Sequence, residues 1–217
     1  MEPTLLLLVR LEGLQRSALA IMVLFMISQP TRAASYSADF VASFISACTP
    51  ERISYSKTVA HARSLGWAIV DKRSNAELTA VIERSDKGIA EGKAEGYLTG
   101  YDMTIMSRMV SGRPLHLVVS LTRSTIFNQV GCYLYDFDAV SPVDRAEVTR
   151  ALAIEPANVI DTPQIVTAVW GPSPKYKRTL DTYLTFIPSG SPYVEKTGFD
   201  GMVLKFSVGA PKETGGE

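Results

Sequence analysis

A serine and a lysine one helical turn apart form the most chemically suggestive pattern in the chain. Ser54 and Lys57 stand in the order Ser-x-x-Lys, and on a helix this spacing places both side chains on one face. A lysine with a depressed pKa can then accept the serine proton and make the hydroxyl a nucleophile. A second short motif, Lys-Thr-Gly, follows much later at Lys196, Thr197 and Gly198.

Together the two motifs resemble the signature of serine β-lactamases and penicillin-binding proteins. The resemblance implies acyl transfer at a β-lactam or peptide carbonyl, with Ser54 as nucleophile and Lys57 as its base. It also implies that Lys196 and Thr197 bind the substrate carboxylate. The middle element of that family, Ser-x-Asn or Tyr-x-Asn, does not occur between the motifs. The sequence therefore favours a non-enzymatic protein, with the serine acyl-enzyme as the alternative.

The two histidines give no metal pattern. Neither His61 nor His116 has another His, Cys, Asp or Glu at a spacing typical of metal ligands. His61 is predicted on the outward face of a helix, and His116 on the more polar side of a strand. Nucleophile elbows, phosphate loops and dinucleotide fingerprints do not occur either. We therefore expect no metal and no cofactor.

The amino-terminal segment indicates export. Arg10 and Arg16 precede an apolar run over 18–27, and small residues follow up to Ala33 and Ala34. This order is typical of a secretory signal peptide, and cleavage after Ala33 places small residues at positions −3 and −1. The run is far shorter than the roughly 20 apolar residues of a spanning helix. We expect a periplasmic or secreted protein without a stable membrane span after cleavage.

Charge and cysteine content narrow the partners. The chain has 22 Lys and Arg against 22 Asp and Glu, and this balance, without a basic run, argues against nucleic-acid binding. An unidentified ligand or an envelope protein is the expected partner. Cys48 and Cys132 are the only cysteines, and an even number in an oxidising compartment predicts a disulfide.

Hydrophobic periodicity predicts an α+β fold. Apolar residues at helical spacing follow Ser37 and recur after the capping box of Ser74 and Glu77, while 101–109, 115–122 and 130–137 alternate with the period of a strand. We expect a mostly antiparallel sheet of five to six strands, with N-terminal helices and one mid-chain helix packed on one of its faces. The mid-chain helix is predicted to follow a Ser141 cap, and the remaining strands to cover 165–170, 179–187 and 202–208.

These elements suggest a simple division of the chain. Residues 1–33 are predicted to be the signal peptide, 34–208 a single α+β domain and 209–217 a flexible tail. A Gly-punctuated stretch over 91–96 is predicted to be an exposed loop.

Two weaker patterns complete the sequence evidence. A helix containing Phe44 and Cys48, followed by a helix that ends at Gly66 and Trp67, resembles small exported bacterial proteins of unknown function. The resemblance implies only a location in the cell envelope.

An aromatic set could form a binding surface. Three aromatic residues lie close together on one predicted strand and a fourth on another, namely Tyr133, Tyr135, Phe137 and Trp170. The alternative is a packed sheet face beneath a helix, which the sequence favours.

Overall fold

In the computed structural model of the chain, residues 32–211 are described. They form five α helices, one short 3-10 helix and eight strands. The helices are α1 (Arg32–Cys48), α2 (Tyr55–Ser64), α3 (Ala76–Ala94), α4 (Arg145–Leu152) and α5 (Tyr193–Thr197), and the 3-10 turn is Lys72–Ser74. The strands are β1 (Ala68–Ile69), β2 (Leu98–Val110), β3 (Arg113–Ser124), β4 (Asn128–Asp136), β5 (Asn158–Thr162), β6 (Ile165–Trp170), β7 (Thr179–Ile187) and β8 (Gly201–Ala210).

All eight strands belong to one antiparallel sheet, in the order β1-β2-β3-β4-β8-β7-β6-β5. The α+β class is confirmed, and β2, β3 and β4 form the predicted meander. The sheet is larger than the predicted five to six strands, because β1 and β5 lack the alternation of apolar and polar residues by which strands are predicted. β1 has two residues, and every residue of β5 is exposed, so neither strand has one apolar and one polar face.

Helices cover both faces of the sheet, whereas the sequence predicted them on one. The first face packs against α1, α2 and α4 in a large cluster that contains Phe44 of α1 and Val148 of α4. The second face packs against α3, whose Leu78 and Ile82 join Ile105 of β2 in a smaller cluster. The difference arises because both helices carry an apolar stripe, and the sequence does not say which face of the sheet each stripe meets.

The predicted disulfide is present and joins α1 to the middle of the sheet. Cys48 is the last residue of α1 and Cys132 lies on β4, with their Cα atoms 5.9 Å apart and a sequence separation of 84. Both residues are fully buried in the cluster of the first face. The bond therefore fixes the carboxyl end of α1 against a central strand.

A buried carboxylate fixes the other end of α1. Asp136, at the end of β4, is fully buried and receives hydrogen bonds from the Tyr36 hydroxyl and, at 2.9 Å, from Nη1 of Arg113. The Arg113 guanidinium also stacks over the Tyr36 ring, 4.5 Å from its centroid. Burial and the neighbouring Asp136 raise the pKa of Tyr36, so the phenol stays protonated and donates to the carboxylate.

Three boundaries differ from the sequence prediction. Helix α3 continues to Ala94 through much of the predicted 91–96 loop, because Gly92 is buried where the Leu98 side chain packs closely. Helix α4 is capped by Asp144, whose carboxylate accepts from the Ala146 amide at 2.9 Å, rather than by Ser141. Strand β8 runs to Ala210, two residues beyond the predicted end of the domain.

Removing the disulfide should destabilise the fold without changing it. We expect the double substitution Cys48→Ala and Cys132→Ala to lower the free energy of unfolding by about 2–4 kcal/mol, because the unfolded chain loses a long-loop constraint. Urea denaturation with and without reductant checks this. Reductant should destabilise the native protein and leave the double variant unchanged; equal sensitivity of both proteins would contradict the prediction.

Candidate functional site

Ser54 acts as a helix cap in the structure. Its hydroxyl accepts from the Lys57 amide at 3.5 Å, at the amino terminus of α2, and lies 3.4 Å from the Ser56 hydroxyl. The Lys57 side chain is exposed. Helix α2 packs on the first face of the sheet, through Tyr55 and Val59.

Lys196 and Thr197 lie on α5, which packs on the second face through Tyr193 and Val194. The Thr197 hydroxyl donates to the Tyr193 carbonyl at 2.8 Å, and Lys196 is exposed. The structure therefore places the Ser-x-x-Lys and Lys-Thr-Gly motifs on opposite faces of the sheet. Acyl transfer by the implied mechanism needs both motifs in one cleft, and these four residues are not brought together.

The predicted aromatic surface is also divided. Tyr135 and Phe137 are buried on the second face, where their rings stack 5.2 Å apart and meet Phe199 edge-on. Trp170 is fully buried on the first face, and its indole nitrogen donates to the Thr149 hydroxyl at 3.1 Å. These three residues are core. Tyr133 alone remains half-exposed.

Tyr133 belongs to a half-exposed polar region that sequence analysis missed. On the second face, Lys205 of β8 is paired in register with Tyr133 of β4 on one side and with Tyr183 of β7 on the other. Ser207, two residues further along β8, and Ser120 of β3 lie beside Tyr133, close enough to lower the pKa of its phenol. We call these five residues, Ser120, Tyr133, Tyr183, Lys205 and Ser207, the Lys205 patch.

Lys205 has no acidic partner in the part of the chain that the structure describes. Its ammonium lies 5.1 Å from the centroid of the Tyr183 ring, a cation–π contact, and it forms no hydrogen bond or ion pair with any residue between 36 and 211. Burial lowers the pKa of Lys205, since removing a cation from water disfavours its charged form. Asp181 of β7 lies next to the patch and accepts a hydrogen bond from the Tyr183 hydroxyl at 3.2 Å.

A glycine makes room for the hydroxyl groups of the patch. A Cβ atom on Gly131 would lie 2.7 Å from the Tyr133 hydroxyl and 2.8 Å from that of Ser120. Any larger residue would therefore displace one of them. Burial raises the pKa of Tyr133 although the neighbouring hydroxyl groups of Ser120 and Ser207 lower it, so its phenol is protonated and can donate to a ligand.

Tyr101 of β2 places further hydroxyl groups beside the patch. Its phenol lies 3.4 Å from the Ser85 hydroxyl of α3 and 3.6 Å from the Met103 sulfur. Burial raises the pKa of Tyr101 as well. The polar region therefore borders the middle of α3.

The histidines lie elsewhere. His116 is buried on β3, next to the Phe137 ring, and its Nδ1 has no hydrogen-bond partner among the described residues. Burial lowers the pKa of His116, which keeps the ring neutral. The predicted outward-facing His61 is half-buried and lies 3.0 Å, through Nε2, from the Ser46 carbonyl of α1.

A sequence signal for the patch did exist. In β8 the buried residues Leu204, Phe206 and Val208 alternate with Lys205 and Ser207, which places a single cation in the middle of an apolar strand. Its importance depends on two facts that periodicity does not give. These are the central position of β8 in the sheet and the absence of an acid opposite Lys205.

Comparisons with known proteins give no information about this site. No family model matches the chain, and searches of curated proteins and of solved structures find no match. Among the described helices, none has the length and apolar character needed to cross a membrane. Within the same residues, no group of three His, Cys, Asp or Glu side chains is arranged to hold a metal ion.

Replacing Lys205 by an apolar residue of similar length should stabilise the protein. Because the folded-state pKa of Lys205 is lowered, the unfolded chain binds its proton more tightly, and stability rises with pH through the window below 10.5. We expect Lys205→Met to raise the free energy of unfolding at pH 7 by about 0.5–2 kcal/mol. This gain should shrink as the pH rises toward 10.5, because the lysine of the native protein then loses its charge. Urea denaturation at pH 7 and at alkaline pH measures both effects.

Lys196→Met is the matched control for that measurement. Lys196 also lies over a tyrosine ring, 5.3 Å from the centroid of Tyr193, but is exposed. We expect Lys196→Met to change stability little at any pH. A loss of stability in Lys205→Met at pH 7 would mean that the ammonium stabilises the fold rather than being held in it at a cost.

Proposed function

We propose that this chain is an exported, non-enzymatic domain that binds a small ligand through an anionic oxygen group at the Lys205 patch. The observation that carries the proposal is the half-buried ammonium of Lys205, which has no carboxylate or hydrogen-bond acceptor among residues 36–211. Buried cations in proteins are usually paired. A cation held without a partner at a solvent-accessible point is therefore suited to a partner from outside the chain.

The neighbours of Lys205 define the chemistry of that ligand. The ammonium and the hydroxyl groups of Tyr133 and Ser207 are all hydrogen-bond donors that a carboxylate or phosphate can accept from. Asp181 lies on the β7 side, and its negative charge disfavours an anion there. The anionic group is therefore expected on the β4 side of Lys205, with the Tyr133 ring available for contact with the rest of the ligand.

Export is supported by two features of the chain. The Cys48–Cys132 disulfide suits an oxidising compartment. The second of the two units into which the chain divides begins at Tyr36, shortly after the predicted cleavage point at Ala33, and residues 1–31 of the predicted signal peptide (1–33) lie outside the described part. A mature protein that starts at Ala34 would keep Tyr36 and its bond to Asp136. The proposed location is the periplasm or the extracellular medium.

Ligand binding can be tested with simple anions. We expect inorganic phosphate and glucuronate to shift the backbone amide resonances of Tyr133, Lys205 and Ser207 saturably in ¹H–¹⁵N NMR titrations, while neutral glucose leaves them unchanged. Lys205→Gln should reduce these shifts at least about tenfold, because it removes a charge-assisted contact of roughly 1.5–3 kcal/mol.

Lys196→Gln should bind as the native protein does, since that exposed lysine lies on α5 and is not part of the patch. Saturable shifts that survive Lys205→Gln, or none around Lys205 with either anion, would refute the proposal. A response to glucuronate alone would identify a sugar acid as the ligand class, and a response to phosphate alone a phosphorylated one.

Processing provides a separate test of export. When the full chain is expressed in a bacterial host, the protein recovered from the periplasm or medium should begin at Ala34, as measured by intact mass and amino-terminal sequencing. Ala33→Leu should block cleavage, because signal peptidase needs a small residue at this position, whereas Ala38→Leu should not. Full-length protein in the cytoplasm for all three chains would argue against a signal peptide.

A further inference from the structure

The two edges of the sheet differ in how they are protected. One edge consists of β1, which covers β2 only at Met106 and Ser107. The uncovered part of β2 has a register shift at Leu98–Gly100 and an exposed Asp102 that pairs with Arg123 at 2.6 Å. Irregularities and charges of this kind are what natural sheets use to prevent further strand pairing.

The opposite edge, β5, is more regular: its one charged residue, Asp161, is paired with Arg145 much as Asp102 is with Arg123, but no irregularity interrupts its pairing. Its five residues pair with β6 without a register shift, and they contain no proline and no lysine. Val159 and Ile160 point to opposite faces of the sheet and are 41 % and 44 % exposed. A regular edge strand with exposed apolar side chains on both faces is suited to pairing with another strand.

The hairpin shows which backbone groups of β5 are free to pair. Pro163 and Gln164 form a hydrogen-bonded turn between Thr162 and Ile165, which are partners in register. Hydrogen-bonded and non-hydrogen-bonded pairs alternate along an antiparallel ladder. The N–H and C=O groups of Val159 and Asp161 therefore point away from β6, toward the open edge.

This edge is complementary to itself. When two β5 strands pair antiparallel about an axis at Ile160, that residue faces Ile160 of the second copy, and Val159 faces Asp161 of the second copy. The two Asp161 carboxylates are then not directly opposite each other. Each is also paired with Arg145 of its own α4 at 3.3 Å, which reduces repulsion between the copies.

We propose that two copies of this chain associate through β5, in antiparallel register about Ile160, to form one continuous sheet. The partner is a second copy because one register satisfies the outward backbone groups of both strands, brings the two isoleucines together and separates the acids. Ile160 and its β6 neighbour Thr167 lie on the second face, so the faces that bear the two Lys205 patches become continuous. The inference does not depend on what the patch binds.

Sedimentation velocity on protein purified after expression of the full chain tests the proposal. A single short strand pair buries a small area, so the dimer should form over roughly 1–500 µM. Ile160→Lys and Ile160→Glu should each raise the dimer dissociation constant at least about tenfold, because like charges then face each other on the axis. Ile126→Lys, at an apolar side chain 80 % exposed on the β3–β4 turn, is the matched control and should dimerise normally.

Mixing the two charged variants gives the decisive measurement. If residue 160 faces itself across the axis, an equimolar mixture of Ile160→Lys and Ile160→Glu should recover dimer at least to the native level, since opposite charges then meet. Recovery also shows that both variants are folded. A native protein that stays monomeric at 500 µM, a dimer unaffected by either charge, or a mixture that does not associate would each overturn the proposal.

Discussion

The stability of this sheet depends on the covalent constraint between Cys48 and Cys132. This disulfide fixes the end of α1 to β4, and β4 is the strand that pairs with both β3 and β8. On one side of β4 lie β3, β2 and β1, and on its other side lie β8, β7, β6 and β5. Cross-linking at β4 therefore joins α1 to the junction between the two halves of the sheet. The Tyr36–Asp136–Arg113 contacts fix the opposite end of the same helix to the end of the same strand.

Because helices cover the first face in this way, a ligand can reach the sheet more easily on the second face, which is less covered. The first face receives α1, α2 and α4 and contains most of the buried apolar side chains. Cover on the second face is limited to α3 and the short α5. Outside the part that these two helices cover, the strands β4, β8 and β7 present Tyr133, Lys205 and Tyr183 half-exposed. A rigid sheet that is anchored from behind holds such side chains in fixed positions, as a preformed site requires.

Local patterns predicted the parts of the structure that local physics determines. The β2–β4 meander was predicted from the alternation of apolar and polar residues. The disulfide was predicted from the even number of cysteines and the oxidising compartment expected for an exported protein. Strand β5 was missed because its residues are exposed on both faces, and α5 because it is one short turn between loops. The Ser54 and Lys196 motifs matched a catalytic pattern in sequence, but topology placed them on opposite faces of the sheet. Lys205 could not be recognised, because the absence of a partner depends on residues distant in sequence.

Gly131 has an evolutionary consequence. Its backbone angles are not in the left-handed region, so other residues could adopt its conformation, but the ring and hydroxyl of Tyr133 and the hydroxyl of Ser120 exclude a side chain there. Selection on this glycine therefore acts through the patch rather than through the backbone. In a lineage that keeps the patch, positions 120, 131, 133 and 205 should change together or not at all. A lineage that has lost the patch should be free to gain a side chain at position 131, which makes that position a marker for dating the loss.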